Sequence, residues 1–178
     1  LTAELDFAAD LVGSWGSGGE VAPETVAVLV RDRVTRDRVV AGLGERGVEV
    51  RALEAGTVKP GYPVALTMHR AKGTEFARVL LFGLSKDSMP MGLKAYDYDD
   101  EELSEAQLRE RSLLYVAASR ARDELVVTYS GSPSGLLPSV TGDDDGEPQG
   151  ADASRSGAGS PSPTEGVASA RQTRDRGR

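Results

Sequence analysis

Apolar positions along the first 130 residues follow two alternating rhythms. Leu1, Leu5, Ala8, Leu11 or Val12, and Trp15 recur every three or four residues, the spacing that puts side chains on one face of an α-helix. The glycines from Gly16 to Gly19 stop that helix. Val26 to Val30 is an unbroken, β-branched-rich run, the pattern of a short strand buried on both faces. Helical spacing returns at Val34, Val39, Val40 and Leu43 and ends at Gly44 or Gly47. Val48 to Leu53, Val64 to Thr67, Val79 to Phe82 and Leu125 to Tyr129 read as further strands, with a Gly- and Pro-bearing connection from Glu54 to Tyr62. An acidic lead-in from Asp97 to Glu102 suits the positive end of a helix dipole. The helix it opens runs to about Arg122, with Leu113, Leu114, Tyr115 and Val116 facing the core. Short apolar strands interleaved with helices predict an α/β fold, a mainly parallel sheet flanked by helices.

From about Gly131 the rhythm is lost. Residues 131–178 are rich in Gly, Ser, Pro and charge and hold no aromatic residue. Such a segment buries too little apolar surface to offset its ordering entropy, so the expected organisation is one folded domain over 1–130 and a disordered tail over 131–178. The basic ending from Arg171 to Arg178 is read as a solvated terminus. A length of 178 residues leaves room for one core and this tail. The net charge of -7 confines any contact with an anionic polymer to a local patch. The chain has no cysteine and one histidine, which argues against a disulfide framework and a zinc site. No apolar run approaches the roughly twenty residues of a membrane span, and the start is no signal peptide. The expected location is therefore the cytoplasm. Opening on leucine, the chain reads as a piece of something longer.

Two stretches carry candidate chemistry. In the first, Thr67-Met-His-Arg-Ala-Lys-Gly-Thr-Glu-Phe76, the single histidine follows an apolar strand, which places it at the carboxyl edge of the sheet where ligands bind in open α/β folds. Arg70 and Lys72 beside His69 suit a phosphate backbone. Gly73 permits a close approach or a positive φ. Glu75 is an acceptor and fits a ribose hydroxyl rather than a phosphate. The alternative is a surface turn with a few exposed charges. In the second stretch, Glu110-Arg-Ser-Leu-Leu-Tyr-Val-Ala-Ala-Ser-Arg-Ala121, Arg120 at a helix end can reach a γ-phosphate and stabilise charge during phosphoryl transfer. Equally, Arg120 and Arg122 can complement the negative end of a helix dipole. No phosphate-cradling Gly-x-x-x-x-Gly-Lys-Ser/Thr occurs, and the glycine-rich run Gly13 to Glu20 lacks the lysine and a preceding strand. The carboxylates Asp97, Asp99, Asp100, Glu101 and Glu102 either hold Mg²⁺ or form a solvated acidic run.

Together the two stretches resemble motifs V and VI of the C-terminal, RecA-like motor domain of UvrD/Rep-type superfamily 1 DNA helicases, over roughly residues 1–130. His69 and Ala71-Lys-Gly-Thr-Glu-Phe76 match the first motif, with Thr74 for the usual leucine. Glu110-Arg111 and Tyr115 to Ala121 match the second, with Ser119 for threonine. Met89-Pro90 and the strand ending at Arg31 are similar to two further family features, although Asp32 and Arg33 depart from the pattern.

The resemblance implies that Arg120 touches the ATP γ-phosphate and that Glu75 bonds the ribose in a loop shaped by Gly73. It implies that His69 contacts single-stranded DNA, joined on the phosphate backbone by Arg31, Arg70 and Lys72. The cofactors implied are ATP and Mg²⁺, with the phosphate-binding loop, the metal carboxylates and the catalytic glutamate on an N-terminal motor domain outside this chain; no metal ligand is assigned here. The partners implied are single-stranded DNA and that motor domain, and the activity is an ATP-dependent, 3′-to-5′ helicase or translocase that this chain alone does not perform. The large accessory insertion of many family members is reduced to about ten residues around Glu54 to Tyr62. Two other readings remain open: a non-enzymatic DNA- or protein-binding module built on the same lobe, and a helicase–nuclease subunit using the carboxylates around Asp99.

Overall fold

The computed structural model describes residues 1–54, 58, 60–91, 99–138 and 167–173. Helix α1 (Thr2–Ser17) leads into strand β1 (Val26–Val30), helix α2 (Arg33–Gly44), and strands β2 (Arg51–Ala52), β3 (Val64–Thr67) and β4 (Phe76–Leu81). Helix α3 (Asp100–Ala118) and strands β5 (Ala121–Ser130) and β6 (Val167–Thr173) follow. One six-stranded sheet holds them in the order β2-β3-β1-β4-β5-β6. The first five strands in the sequence pair in parallel, and β6 lies antiparallel on β5.

Strand alternation divides the core in two. Val26, Val28 and Val30 face α1 and α2, against Leu5, Val12, Trp15, Val39 and Leu43. Ala27 and Leu29 face the other way, against Leu66, Met68, Leu114 and Ala117. Every residue of β1 is buried, which is why its sequence is apolar without alternation. Buried Glu4 ties α1 to the sheet. Its carboxylate accepts the Gly83 N–H at 2.9 Å and the Ser130 hydroxyl at 2.6 Å, so the charge is compensated where water does not reach.

The expected α/β architecture is present, with its boundaries shifted where polar residues interrupt a strand or apolar ones do not pair. β4 begins three residues before Val79, because Arg78 hides the pattern while its guanidinium reaches Glu20 and Glu124 at the sheet margin. β5 begins at Ala121, and α3 accordingly ends at Ala118 rather than near Arg122. Of the strand expected over Val48 to Leu53, only Arg51–Ala52 pairs with β3; Val48 and Val50 pack into the core shared with α1 and α2 instead. Tyr115, expected in the core, is 76% exposed, since Leu114 and Ala117 set the inward face of α3.

Two parts of the 131–178 segment are among the described residues. Residues up to 138 remain packed on the body: the Ser134 N–H donates to the Leu84 carbonyl, and its buried hydroxyl donates to the Met89 carbonyl at 2.6 Å. Val167–Thr173 supplies β6. Residues 139–166 and 174–178 lie outside the described residues, as do most of the Glu54 to Tyr62 connection's glycine-bearing centre and Asp97. The acidic lead-in acts as a cap. Asp99 accepts the N–H groups of Glu101 and Glu102, and the Glu102 side chain accepts the Asp99 N–H, a reciprocal capping box. Among the described residues no helix is long and apolar enough to cross a membrane.

Candidate functional site

The connection from β3 to β4 organises the candidate residues. Both strands run the same way, one on each side of β1, with Leu66 and Leu81 level with Leu29. The chain therefore leaves β3 at the carboxyl edge of the sheet and must return to the opposite edge to begin β4. Phe76 lies five residues before Leu81, about 16 Å back along the strand at the usual rise. Eight residues, 68–75, cover that span on the α3 face, starting with a 3₁₀ turn at Met68–Ala71. Met68 and Ala71 are wholly buried anchors; between and after them His69, Arg70, Lys72, Gly73 and Glu75 are exposed. If one loop serves both contacts, the imidazole end and the Arg120 guanidinium are expected to converge on one rim of the sheet. In the structure only the far end of the loop reaches Arg120, because a parallel return places the two ends at opposite edges.

At the carboxyl edge, β1 leads to α2 on one face of the sheet and its neighbour β4 leads towards α3 on the other. A crevice opens at such a reversal, and a cleft of about 330 Å³ lies there. His69 and Arg70 line it from the loop, Arg31 and Arg33 from the end of β1 and the start of α2, with Thr67 and Met91 between them. Asp32 also borders the cleft, but its carboxylate caps α2 by accepting the Thr35 N–H at 2.9 Å and the Thr35 hydroxyl at 2.8 Å. Lys72 is exposed but is not among the residues lining the cleft.

Arg31 is not free in this cleft. Its Nε donates to one Glu110 oxygen at 2.8 Å and a terminal nitrogen donates to the other at 2.5 Å. Burial pushes the Glu110 carboxyl up, but the hydrogen bonds and charge of Arg31, the Met91 N–H and the charge of nearby His69 outweigh it. The net direction is downward.

The opposite edge holds the second group. Arg120 sits between α3 and β5, one residue past the cap Ser119. Its guanidinium donates to the Val116 carbonyl at 3.1 Å, the Ser119 hydroxyl at 3.1 Å and the Thr74 carbonyl at 3.2 Å. The Phe76 N–H donates to the Arg120 carbonyl at 2.9 Å. These bonds hold Arg120 against the Gly73-Thr74-Glu75 turn. Gly73 has φ +85° with open space where a side chain would begin, so the backbone conformation, not a close approach, calls for glycine there. Arg122 pairs with Asp123 at 2.8 Å; that hydrogen bond raises its pKa, and the charge of Glu75 adds to the effect. Among the described residues no group of three or more His, Cys, Asp or Glu could hold a metal ion, so this set does not fit Mg²⁺.

Sequence reasoning gave no site role to Glu110, Arg33, Thr67 or Met91. Glu110 stands 79 residues from Arg31, and neither spacing nor periodicity joins them. Residues 63–132 match the family model of the UvrD-like helicase C-terminal domain. The chain is 35% identical over 80 residues to the ATP-dependent DNA helicase PcrA of Staphylococcus aureus, covering 42% of this chain and 10% of that protein. It is 28% identical over 107 residues to the ATP-dependent DNA helicase Rep of Buchnera aphidicola, covering 60% and 14%. The chain thus spans about a tenth of the length of these relatives. The fold is also that of the C-terminal domain of a possible DNA helicase from Lactobacillus plantarum, with a TM-score of 0.56 at 23% identity over 76% of this chain and 72% of that one. The chain carries a UvrD-like helicase C-terminal domain, homologous to the matching part of the PcrA and Rep DNA helicases.

Proposed function

We propose that this chain is the C-terminal lobe of an ATP-dependent DNA helicase or translocase, moving 3′ to 5′ as its resemblance implies. The observation that supports this best is the 68–75 connection, a single short segment with one end beside Arg120 and the other in a basic cleft. Arg120 reaches the γ-phosphate of ATP held by an N-terminal motor domain, and Glu75 accepts a ribose hydroxyl beside it. A guanidinium already fixed by three hydrogen bonds stabilises developing phosphoryl charge with little reorganisation. Mg²⁺ would be held by carboxylates of the other lobe, where it would supply charge neutralisation at the phosphates. His69, Arg70 and Arg31 hold the backbone of single-stranded DNA at the carboxyl edge, while Lys72 adds a cationic contact outside the cleft. Phosphate contacts of this kind fix register without reading sequence. Since the metal and phosphate-loop groups reside elsewhere, this chain alone does not turn over ATP. The working protein is soluble and cytoplasmic, and residues 1–130 form its motor lobe.

The test joins this chain to an N-terminal motor domain and measures DNA-stimulated ATP hydrolysis. Replacing Arg120 by alanine is expected to lower the rate by on the order of 10³ while the circular dichroism spectrum stays unchanged. An unaltered rate in a folded variant removes Arg120 from the chemistry, and turnover by this chain alone contradicts the two-lobe reading.

A further inference from the structure

Among the basic residues lining the cleft, Arg31 stands apart. Arg33 and Arg70 carry no ion pair among the described residues, whereas the Nε–Nη2 edge of the Arg31 guanidinium is taken by the two oxygens of Glu110. The two side chains are only 17% and 11% exposed, so water screens the pair poorly and the fork is held in one geometry. Two parallel N–H donors meeting two oxygens is also how a guanidinium binds a phosphate. Glu110 has other support. The Met91 N–H donates to it at 3.4 Å, and His69 lies near enough for its charge to act on it. The carboxylate can therefore give up Arg31 without being left buried and alone, which would otherwise be costly.

We propose that Glu110 is a built-in competitor for phosphate: in the free protein it occupies the Arg31 fork that a backbone phosphate of single-stranded DNA takes in the complex. This rests on the reading of the cleft as the DNA site and adds to it a residue that sets how tightly, and how salt-sensitively, the strand is held. Of the cleft's cations, Arg33 and Arg70 attract the strand in any state. Arg31 joins only by exchanging one anion for another, so its contact gives no net release of counterions and adds little affinity. Glu110 also stands on α3, whose far end leads through Ser119 to Arg120, so the exchange takes place on the helix that positions the nucleotide-side arginine.

The test uses the full chain and a fluorescently labelled oligothymidylate, with binding followed by anisotropy over a series of sodium chloride concentrations. Glu110→Gln is expected to bind roughly fivefold more tightly at low salt, and its log–log salt dependence to steepen by about 0.7, the increment for one more phosphate neutralised on a single strand. In an Arg31→Ala background the same substitution should change neither quantity. A gain of equal size without Arg31 would reduce the effect to loss of a nearby negative charge and overturn the proposal. If Arg70→Ala weakens binding while Glu110→Gln matches the parent in affinity and slope, the DNA reading stands and the competitor fails. If no form of the chain binds the oligonucleotide, the DNA reading itself fails and takes the proposal with it. Should Glu110→Gln lose its fold by circular dichroism, Glu110→Asp retracts the carboxylate by one methylene and must still steepen the salt dependence, in smaller degree.

Discussion

At the scale of single residues, Glu110 shows how a charge becomes conditional. Its folded pKa lies below its ordinary value of 4.5, so the ionised form binds its surroundings more tightly in the folded chain than in the unfolded one. The stabilisation is therefore complete above about pH 4.5 and is lost as the pH falls below that value through the folded pKa. Chemical denaturation of the parent and Glu110→Gln across this range should show the parent more stable near neutrality and the gap closing as acid is added. A gap independent of pH would mean that the pair contributes through packing rather than charge. His69 and Arg120 could be proposed from their neighbours in the sequence, because each stands within a contiguous motif. The Arg31–Glu110 pair could not, since the fold alone brings together positions 79 residues apart.

Elements were legible where burial governed the sequence and illegible where pairing did. β1 and β3 match their apolar runs end for end, as both lie inside the sheet with helices on either side. The margins of β4 and β5 escaped notice because Arg78, Arg122, Asp123 and Glu124 belong to strands whose ends meet solvent or α1. β6 was hidden more deeply. Val-Ala-Ser-Ala-Arg-Gln-Thr has almost no apolar character, and its placement depends on backbone bonds to the open edge of β5, which any extended segment can make. Ending the chain after residue 138 should uncover that edge. Every second amide between Glu124 and Ser130 should then exchange hydrogen faster, and the shortened protein should self-associate more in sedimentation velocity. Equal exchange in both forms would show that β6 does not cover β5 in solution.

On the scale of the whole molecule, the parallel sheet forces a separation that function then has to bridge. Strands β3 and β4 point the same way, so the segment between them must start at one edge and finish at the other, and it carries His69 at the start and Glu75 at the finish. Met68 and Ala71 pin its first half against α3, and the Thr74 carbonyl pins its end to Arg120. Between the pins, Gly73 takes a left-handed conformation. Alanine there meets no steric neighbour, but its β-carbon disfavours that conformation by about 1–2 kcal/mol. The segment is short and held at both ends, so relief of that strain must move the Thr74–Glu75 turn, the Lys72 side, or both. Joined to an N-terminal motor domain, Gly73→Ala should therefore retain most of its affinity for single-stranded DNA and most of its fold, yet lose several-fold in the ratio of DNA-stimulated to basal ATP hydrolysis. A ratio equal to the parent's would show that the two edges communicate by another route, with α3 the remaining element that touches both.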